Sequence, residues 1–178
     1  MLRNEGSNAD GVPRFVDVAM ATGADDIKDA RGMAVADFDN DGDLDIIVNN
    51  NPGDSGNIEK ARPTLLRNET GTTRNFLAID LQGTQSNRDA IGAVVIVETG
   101  GQKQVRYVAA GYGFASQNAA RIYFGLGEQT KIDALTVRWA NGKVERFTES
   151  DNGEIAAKQY LKITEGQGLK VAVLGEQK

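Results

Sequence analysis

The chain has 178 residues, 40% of them hydrophobic, with 25 acidic and 20 basic residues and a formal charge of −5. That length holds one ordinary domain or two small ones with a real core, and no run of about 18 apolar residues is present to cross a membrane as a helix. There is no cysteine and no histidine, which excludes disulfide staples, thiolate or imidazole metal sites, thiol nucleophiles and Ser-His-Asp or Cys-His catalysis, and leaves carboxylate chemistry open.

In chain order, the opening residues MLRNEGSN carry no apolar signal-peptide core. Residues 32–36 (GMAVA) and 44–48 (LDIIV) read as strands on either side of an aspartate-rich loop. Residues 93–97 form another short apolar run that suits a strand. Gly100-Gly101 then separates AVVIVE from QKQVRYVA, a hairpin signal. Within residues 104–109, Val105, Tyr107 and Ala109 alternate, as do Leu135, Val137 and Trp139 further on, and Leu161 and Ile163 near the end. Such period-two runs mean half-buried strands, commonly antiparallel. Asn141-Gly142 between LTVRWA and KVERF predicts a type I′ hairpin. A short helical turn is expected near residues 154–158, and no longer stretch shows a 3.6-residue period. The chain therefore reads as all-β, with ten or more strands.

Five of the acids (Asp37, Asp39, Asp41, Asp43 and Asp45) sit in the nine residues DFDNDGDLD; without them acids and bases balance at 20 each. The acidity is thus local, and the absence of a basic stripe gives no expectation of nucleic-acid binding. Asp37, Asp39, Asp41 and Asp45 occupy positions 1, 3, 5 and 9 of D-x-D-x-D-G-x-x-D. Calcium takes six to eight oxygen ligands in flexible geometry. Alternate aspartates on a tightly curved loop supply them, and Gly42 lets the backbone turn sharply. The expected ligands are the side chains of Asp37, Asp39, Asp41 and Asp45 and the backbone carbonyl of Asp43. An EF-hand is excluded, because position 12 is Val48 where a bidentate Glu is required, and the flanks are strands. The alternative is a solvated acid-rich turn without a metal, but five carboxylates this close repel strongly without a counterion. Magnesium retains more water and uses fewer protein ligands, which favours calcium. A modest calcium site fills reliably only where calcium is abundant, so the loop points outside the cell or to the periplasm.

One internal repeat is visible: Leu2-Arg3-Asn4-Glu5 recurs as Leu66-Arg67-Asn68-Glu69, with Gly71 one residue later than Gly6. A genuine repeat would make the sequence a piece of a longer array.

The loop with its flanks resembles the FG-GAP/VCBS repeat, which builds the blades of calcium-binding β-propellers. The similarity rests on Phe15-Val16-Asp17-Val18, on Arg31 through Val48, and on Leu65-Leu66-Arg67-Asn68. The remainder resembles the ASPIC/UnbV domain through NRDAIGA (87–93), GYGFASQ (111–117), YFGLG (123–127) and VRWANG (137–142), with Ala140 where a proline commonly follows the tryptophan. The resemblance implies one propeller-blade-like calcium-binding repeat over residues 1–72 and a C-terminal antiparallel β-sandwich or barrel-like domain over residues 73–178. It implies a secreted, cell-surface or periplasmic protein with calcium in a structural role, which binds or adheres more than it catalyses; no catalytic residue carries over. A single blade buries little and leaves strand edges open. Residues 10–70 are therefore expected to pack on the C-terminal domain or to pair with another chain, a homo-oligomer included.

Other candidates are weaker. Alternation predicts Tyr107, Tyr123 and Trp139 in the core. Tyr112, Phe114, Ser116 and Gln117 lie in a glycine-rich stretch suited to a binding loop for a glycan or an extracellular protein. The polar stretch 84–89 (TQSNRD) is a second exposed candidate, with Arg88 free for a ligand or paired with Asp89. Asn68-Glu69-Thr70 is a glycosylation sequon. Two further functions stay open: a non-catalytic spacer, and a fragment of a carboxylate-based carbohydrate-active enzyme. The enzyme needs two acids about 5–10 Å apart across a cleft. No membrane insertion is expected.

Overall fold

The structure, a computed structural model, describes residues 1–53, 61–69 and 73–172. Thr70 of the sequon, Gly71 of the repeat and the expected boundary at residue 72 lie outside them. The first strands are β1 (Leu2–Ser7) and β2 (Pro13–Asp17), followed by the one-turn helix α1 (Ala19–Thr22), then β3 (Asp29–Ala36), β4 (Asp45–Asn51) and β5 (Thr64–Leu66). The C-terminal part carries β6 (Asn75–Gln82), β7 (Val94–Thr99), β8 (Gln102–Tyr107), β9 (Ile122–Gly127), β10 (Lys131–Ile132), β11 (Ala134–Arg138), β12 (Val144–Thr148), the one-turn helix α2 (Glu149–Asn152), β13 (Ile155–Ala156), β14 (Gln159–Thr164) and β15 (Gly168–Val171).

Two four-stranded sheets, β12-β11-β7-β8 and β15-β14-β6-β9, make a sandwich. Alternation decides which residues fill it. Leu77 and Ile79 of β6, Ile122, Phe124 and Leu126 of β9, and Leu161 and Ile163 of β14 meet Val95 and Val97 of β7 and Leu135 and Val137 of β11 in one buried cluster. Each such side chain contributes about 1.5–3 kcal/mol by leaving water. Trp139 closes one end, buried as expected, with its indole N–H donating to Glu145 Oε2 at 2.5 Å.

Several local expectations change. The sandwich is all-β and no barrel closes, but it is not wholly antiparallel: β14 pairs parallel with β6. Parallel and antiparallel strands share one side-chain period, so alternation does not name the partner. The Gly100-Gly101 turn joins β7 to β8 with both glycines at positive φ, as a two-residue type I′ loop requires. The Asn141-Gly142 turn is longer. Trp139 N–H bonds to Lys143 O, Gly142 N–H bonds to Trp139 O, and only Gly142 of the pair has positive φ, the pattern of a three-residue loop. The helical turn expected at 154–158 forms earlier, as α2, and Gly153 at φ +73° ends it; residues 155–156 are strand instead.

In β8 the period holds but the phase is reversed. Val105 and Tyr107 face outwards, 37% and 67% exposed, so Tyr107 is not core. Gln104 and Arg106 pair with the core residues Val97 and Val95 and therefore point to the inner side. There Gln104 Nε2 donates to Gly125 O at 2.7 Å, and the Arg106 guanidinium lies 5.4 Å from the centroid of Phe124. These two polar side chains bridge the open edge between the sheets, where strand edges otherwise invite another chain.

The N-terminal part is a three-stranded sheet, β3-β4-β5, beside the separate β1–β2 hairpin. The hairpin leaves Leu2, Val12, Phe15 and Val16 exposed. The β3 strand packs on the sandwich: Val35 N–H donates to Asn118 Oδ1 and Val35 O accepts from Ala119 N–H, both at 3.0 Å. Among the described residues no helix is long and apolar enough to cross a membrane.

Candidate metal centre and adjoining cleft

The aspartate loop connects β3 to β4 and docks on the outer face of the sheet β15-β14-β6-β9. Register explains the docking. Tyr123 of β9, Ala78 of β6 and Tyr160 of β14 stand side by side across that face, and the small Ala78 leaves room between the two rings. Both hydroxyls donate to Asp37 Oδ2, Tyr123 at 3.2 Å and Tyr160 at 3.0 Å. Asp37 Oδ2 also accepts from Gly42 N–H, and Oδ1 accepts from Asp41 N–H, each at 3.1 Å. Beneath the loop the Phe76 ring meets Tyr160 edge-on, 5.4 Å between centroids. Gly42, at φ +97°, sits directly over Phe76, and a Cβ there would fall inside the ring. Only glycine fits both the backbone turn and that contact.

The loop brings together carboxylate oxygens of Asp37, Asp39 and Asp45, all within 4.8 Å of one another. Ligands on opposite sides of a calcium ion stand about 5 Å apart, so this spacing fits a shared ion. Asp45 is fully buried; its Oδ2 accepts from Phe38 N–H at 2.9 Å and its Oδ1 from Asn68 N–H at 2.7 Å. Asp37 Oδ1 and each Asp45 oxygen thus spend one lone pair on an amide hydrogen bond and keep another for a cation. Asp41 turns Oδ1 to the Asp43 amide at 3.0 Å and stands outside the convergent group. Asp43 is buried in the same loop. Burial, then the charges of Asp41 and Asp45, raise the Asp39 carboxyl above its ordinary value, while Arg67, 3.6 Å away, opposes the rise. A further cation would relieve the same crowding of charge.

Beside the loop lies a cleft of about 480 Å³. Val35 and Leu44 contribute one wall, Tyr107, Tyr112 and Gln117 another, and Arg106, Arg121, Asp80 and Asp89 its charges. Arg121 grips Asp80 with two nitrogens at 2.9–3.1 Å and covers the Tyr160 ring at 5.0 Å. Burial opposes its charge, but its contacts with Asp80 and Tyr123 together outweigh that and raise the guanidinium's pKa. Burial likewise raises the Tyr123 and Tyr160 hydroxyls, which therefore stay protonated as donors to Asp37.

The other sequence candidates separate. Tyr112 and Gln117 line the cleft; Tyr112 OH donates to Tyr107 O at 3.3 Å, and Ser116 Oγ donates to Tyr112 O at 2.5 Å, shaping the loop. Phe114 is 75% exposed and stands outside the cleft lining. Arg88 is exposed and forms no ion pair with Asp89. The stretch 84–89 is anchored, because the amides of Thr84, Gln85 and Ser86 all donate to Glu165 Oε2 at 2.8–2.9 Å.

Sequence reasoning missed Tyr123 and Tyr160 as partners of the loop, and Glu165 as an anchor. Tyr123, expected in the core, is the reverse: Ile122 and Phe124 fill the core, so alternation turns Tyr123 to the outer face, as it does Tyr160 beside the core residue Leu161. Glu165 has no such periodicity, since its partners are backbone amides 80 residues away.

An all-β sandwich with an aspartate loop seated on one sheet is the class these observations define, and residues 83–170 match the family described as ASPIC and UnbV, so that segment is an ASPIC/UnbV domain. Over 127 residues the chain is 33% identical to cartilage acidic protein 1 of Xenopus tropicalis, a match that covers 70% of this chain and 18% of that protein. The chain spans less than a fifth of the length of this relative.

Proposed function

We propose that the chain is a calcium-stabilised, extracellular binding or adhesion module without catalytic activity, and that residues 1–72 are an FG-GAP/VCBS-type repeat. The observation that carries the reading is the convergence of Asp37, Asp39 and Asp45 on a loop already held to the sandwich by two tyrosine hydroxyls. Calcium would be held by these three carboxylates, with Asp41 and Asp43 close by in the same loop, and would supply the positive charge that lets them stay packed together. The similarity to cartilage acidic protein 1 supports the extracellular part of the reading. Exposed aromatics at the cleft favour a binder over a spacer. Of the two cleft acids, Asp80 is committed to Arg121, which leaves no free carboxylate pair for hydrolysis. β5, an edge strand among the described residues, and the exposed β1–β2 hairpin are where a second copy would pair.

Calorimetric titration of the chelator-stripped chain with calcium tests this. One site per chain is expected, with Asp39→Ala weakening it at least about tenfold, the loss of roughly one good ligand. Absence of binding heat in the wild type, or equal affinity in the variant, would remove calcium from this loop.

A further inference from the structure

We infer that the cleft between the aspartate loop and the sandwich is a binding site for a short, neutral saccharide segment. The inference rests on the reading of the chain as a binding module and names the chemistry of its ligand.

Shape and charge both restrict the occupant. The cleft holds about 480 Å³, within the range of small-molecule sites of about 300–1,000 Å³. A stable protein partner instead needs roughly 800 Å² of complementary surface on each side, and a concavity of this size suits a few sugar rings. Two tyrosines supply aromatic surface: Tyr107 is 67% and Tyr112 40% exposed, though both belong to the cleft wall. Exposed aromatic rings beside planar polar groups fit pyranose chemistry, with apolar C–H faces against the rings and hydroxyls at the polar tips. The polar groups are present and uncommitted to ion pairs. Among the described residues Asp89 makes no ion pair, and Arg106, whose guanidinium is steadied over Phe124 and by Val105 O, makes none either. Gln117 adds an amide with both donor and acceptor.

The charges define the class. Asp80 and Arg121 cancel each other by direct pairing, and Asp89 balances Arg106. A cleft with no net charge gives no advantage to a sulfated or uronic-acid chain over a neutral one.

The site is also tied to the loop. Leu44, in the loop itself, and Val35, just before it, form one wall, and Tyr123, which lines the cleft, donates to Asp37. Ordering of the loop by calcium therefore sets the width of the cleft, and saccharide affinity follows calcium.

The test uses the whole chain in millimolar calcium, titrated with maltotriose, cellotriose and triacetylchitotriose, and with a sulfated chondroitin trisaccharide as a charged control. Amide NMR shifts locate the site, because the single tryptophan is buried away from the cleft. The expected result is a dissociation constant of about 1 mM or tighter for at least one neutral trisaccharide, with shifts at Tyr107, Tyr112 and Gln117. Tyr112→Ala and, independently, the surface change Tyr107→Ala each weaken binding at least about tenfold. Phe114→Ala leaves it unchanged, and chelation weakens it several-fold. The inference is overturned if no neutral trisaccharide binds, if only the sulfated one does, if shifts fall elsewhere, or if both tyrosine variants bind like the wild type. In those cases the calcium titration still decides the loop, so a failed saccharide site and a failed metal site are told apart.

Discussion

In a Gly42→Ala variant the aspartate loop no longer seats on the sandwich, and the midpoint of thermal unfolding falls by about 5–15 °C. Two costs combine. The residue holds φ at +97°, where a side chain is strained, and its Cβ would enter the Phe76 ring. Strain of this kind costs roughly 1–3 kcal/mol and overpacking a similar amount, for a total of about 2–5 kcal/mol. Phe76 cannot swing aside cheaply, since it packs edge-on against Tyr160, which itself holds Asp37. The variant therefore loses stability and calcium affinity together, and a chelator has little further effect on it. Differential scanning calorimetry with and without calcium reads both. An unchanged midpoint would show that the loop does not rest on Phe76.

The second large effect is expected at Glu165, 1% exposed at the end of β14. Burial alone would raise its carboxyl. The amides of Ser86, Thr84 and Gln85 and the side chain of Asn141 outweigh burial and hold it at about 2, against an ordinary 4.5. A group lowered on folding adds stability that is complete above its unfolded value and is lost as pH falls towards the folded one. The wild type accordingly gives up this contribution between about pH 4.5 and pH 2. Glu165→Gln replaces an acceptor oxygen by an amide that faces donors, and buried donors without partners are costly. Its unfolding midpoint at neutral pH falls by about 5–10 °C, and the gap from the wild type narrows as pH drops through that window. Circular-dichroism melts from pH 7 to pH 2.5 measure it. A gap independent of pH would mean that Glu165 acts by packing and not by charge.

These two sites show what the sequence discloses and what it hides. The strands beside the aspartate loop, the Gly100-Gly101 hairpin and the inward phase of Leu135, Val137, Leu161 and Ile163 are local patterns, and local patterns survive in one dimension. The phase of β8 does not. Val105 and Tyr107 look like an inner face until Gln104 and Arg106 are seen to be recruited to the gap between the sheets. The parallel pairing of β14 with β6 is hidden for the same reason: nothing in either strand records which neighbour it takes. The aspartates at 37, 39, 41, 43 and 45 were legible as one group from their alternate spacing, and the structure draws together the carboxylates of Asp37, Asp39 and Asp45. Their support was not legible, since Tyr123 and Tyr160 lie 86 and 123 residues from Asp37. Glu165 is the extreme case, a carboxylate whose role is fixed by three amides of a distant loop.

The aspartate loop is proposed to bind calcium, and the bound ion to stabilise the fold. The direct measurement is the thermal unfolding midpoint of the wild type and of Asp45→Ala, each in chelator and in calcium at about 100-fold above the dissociation constant. Binding at that ratio adds about 2.7 kcal/mol, so the wild type should gain about 5–10 °C and the variant nothing. A wild-type midpoint that does not move with calcium, or a variant that gains as much as the wild type, would contradict the account.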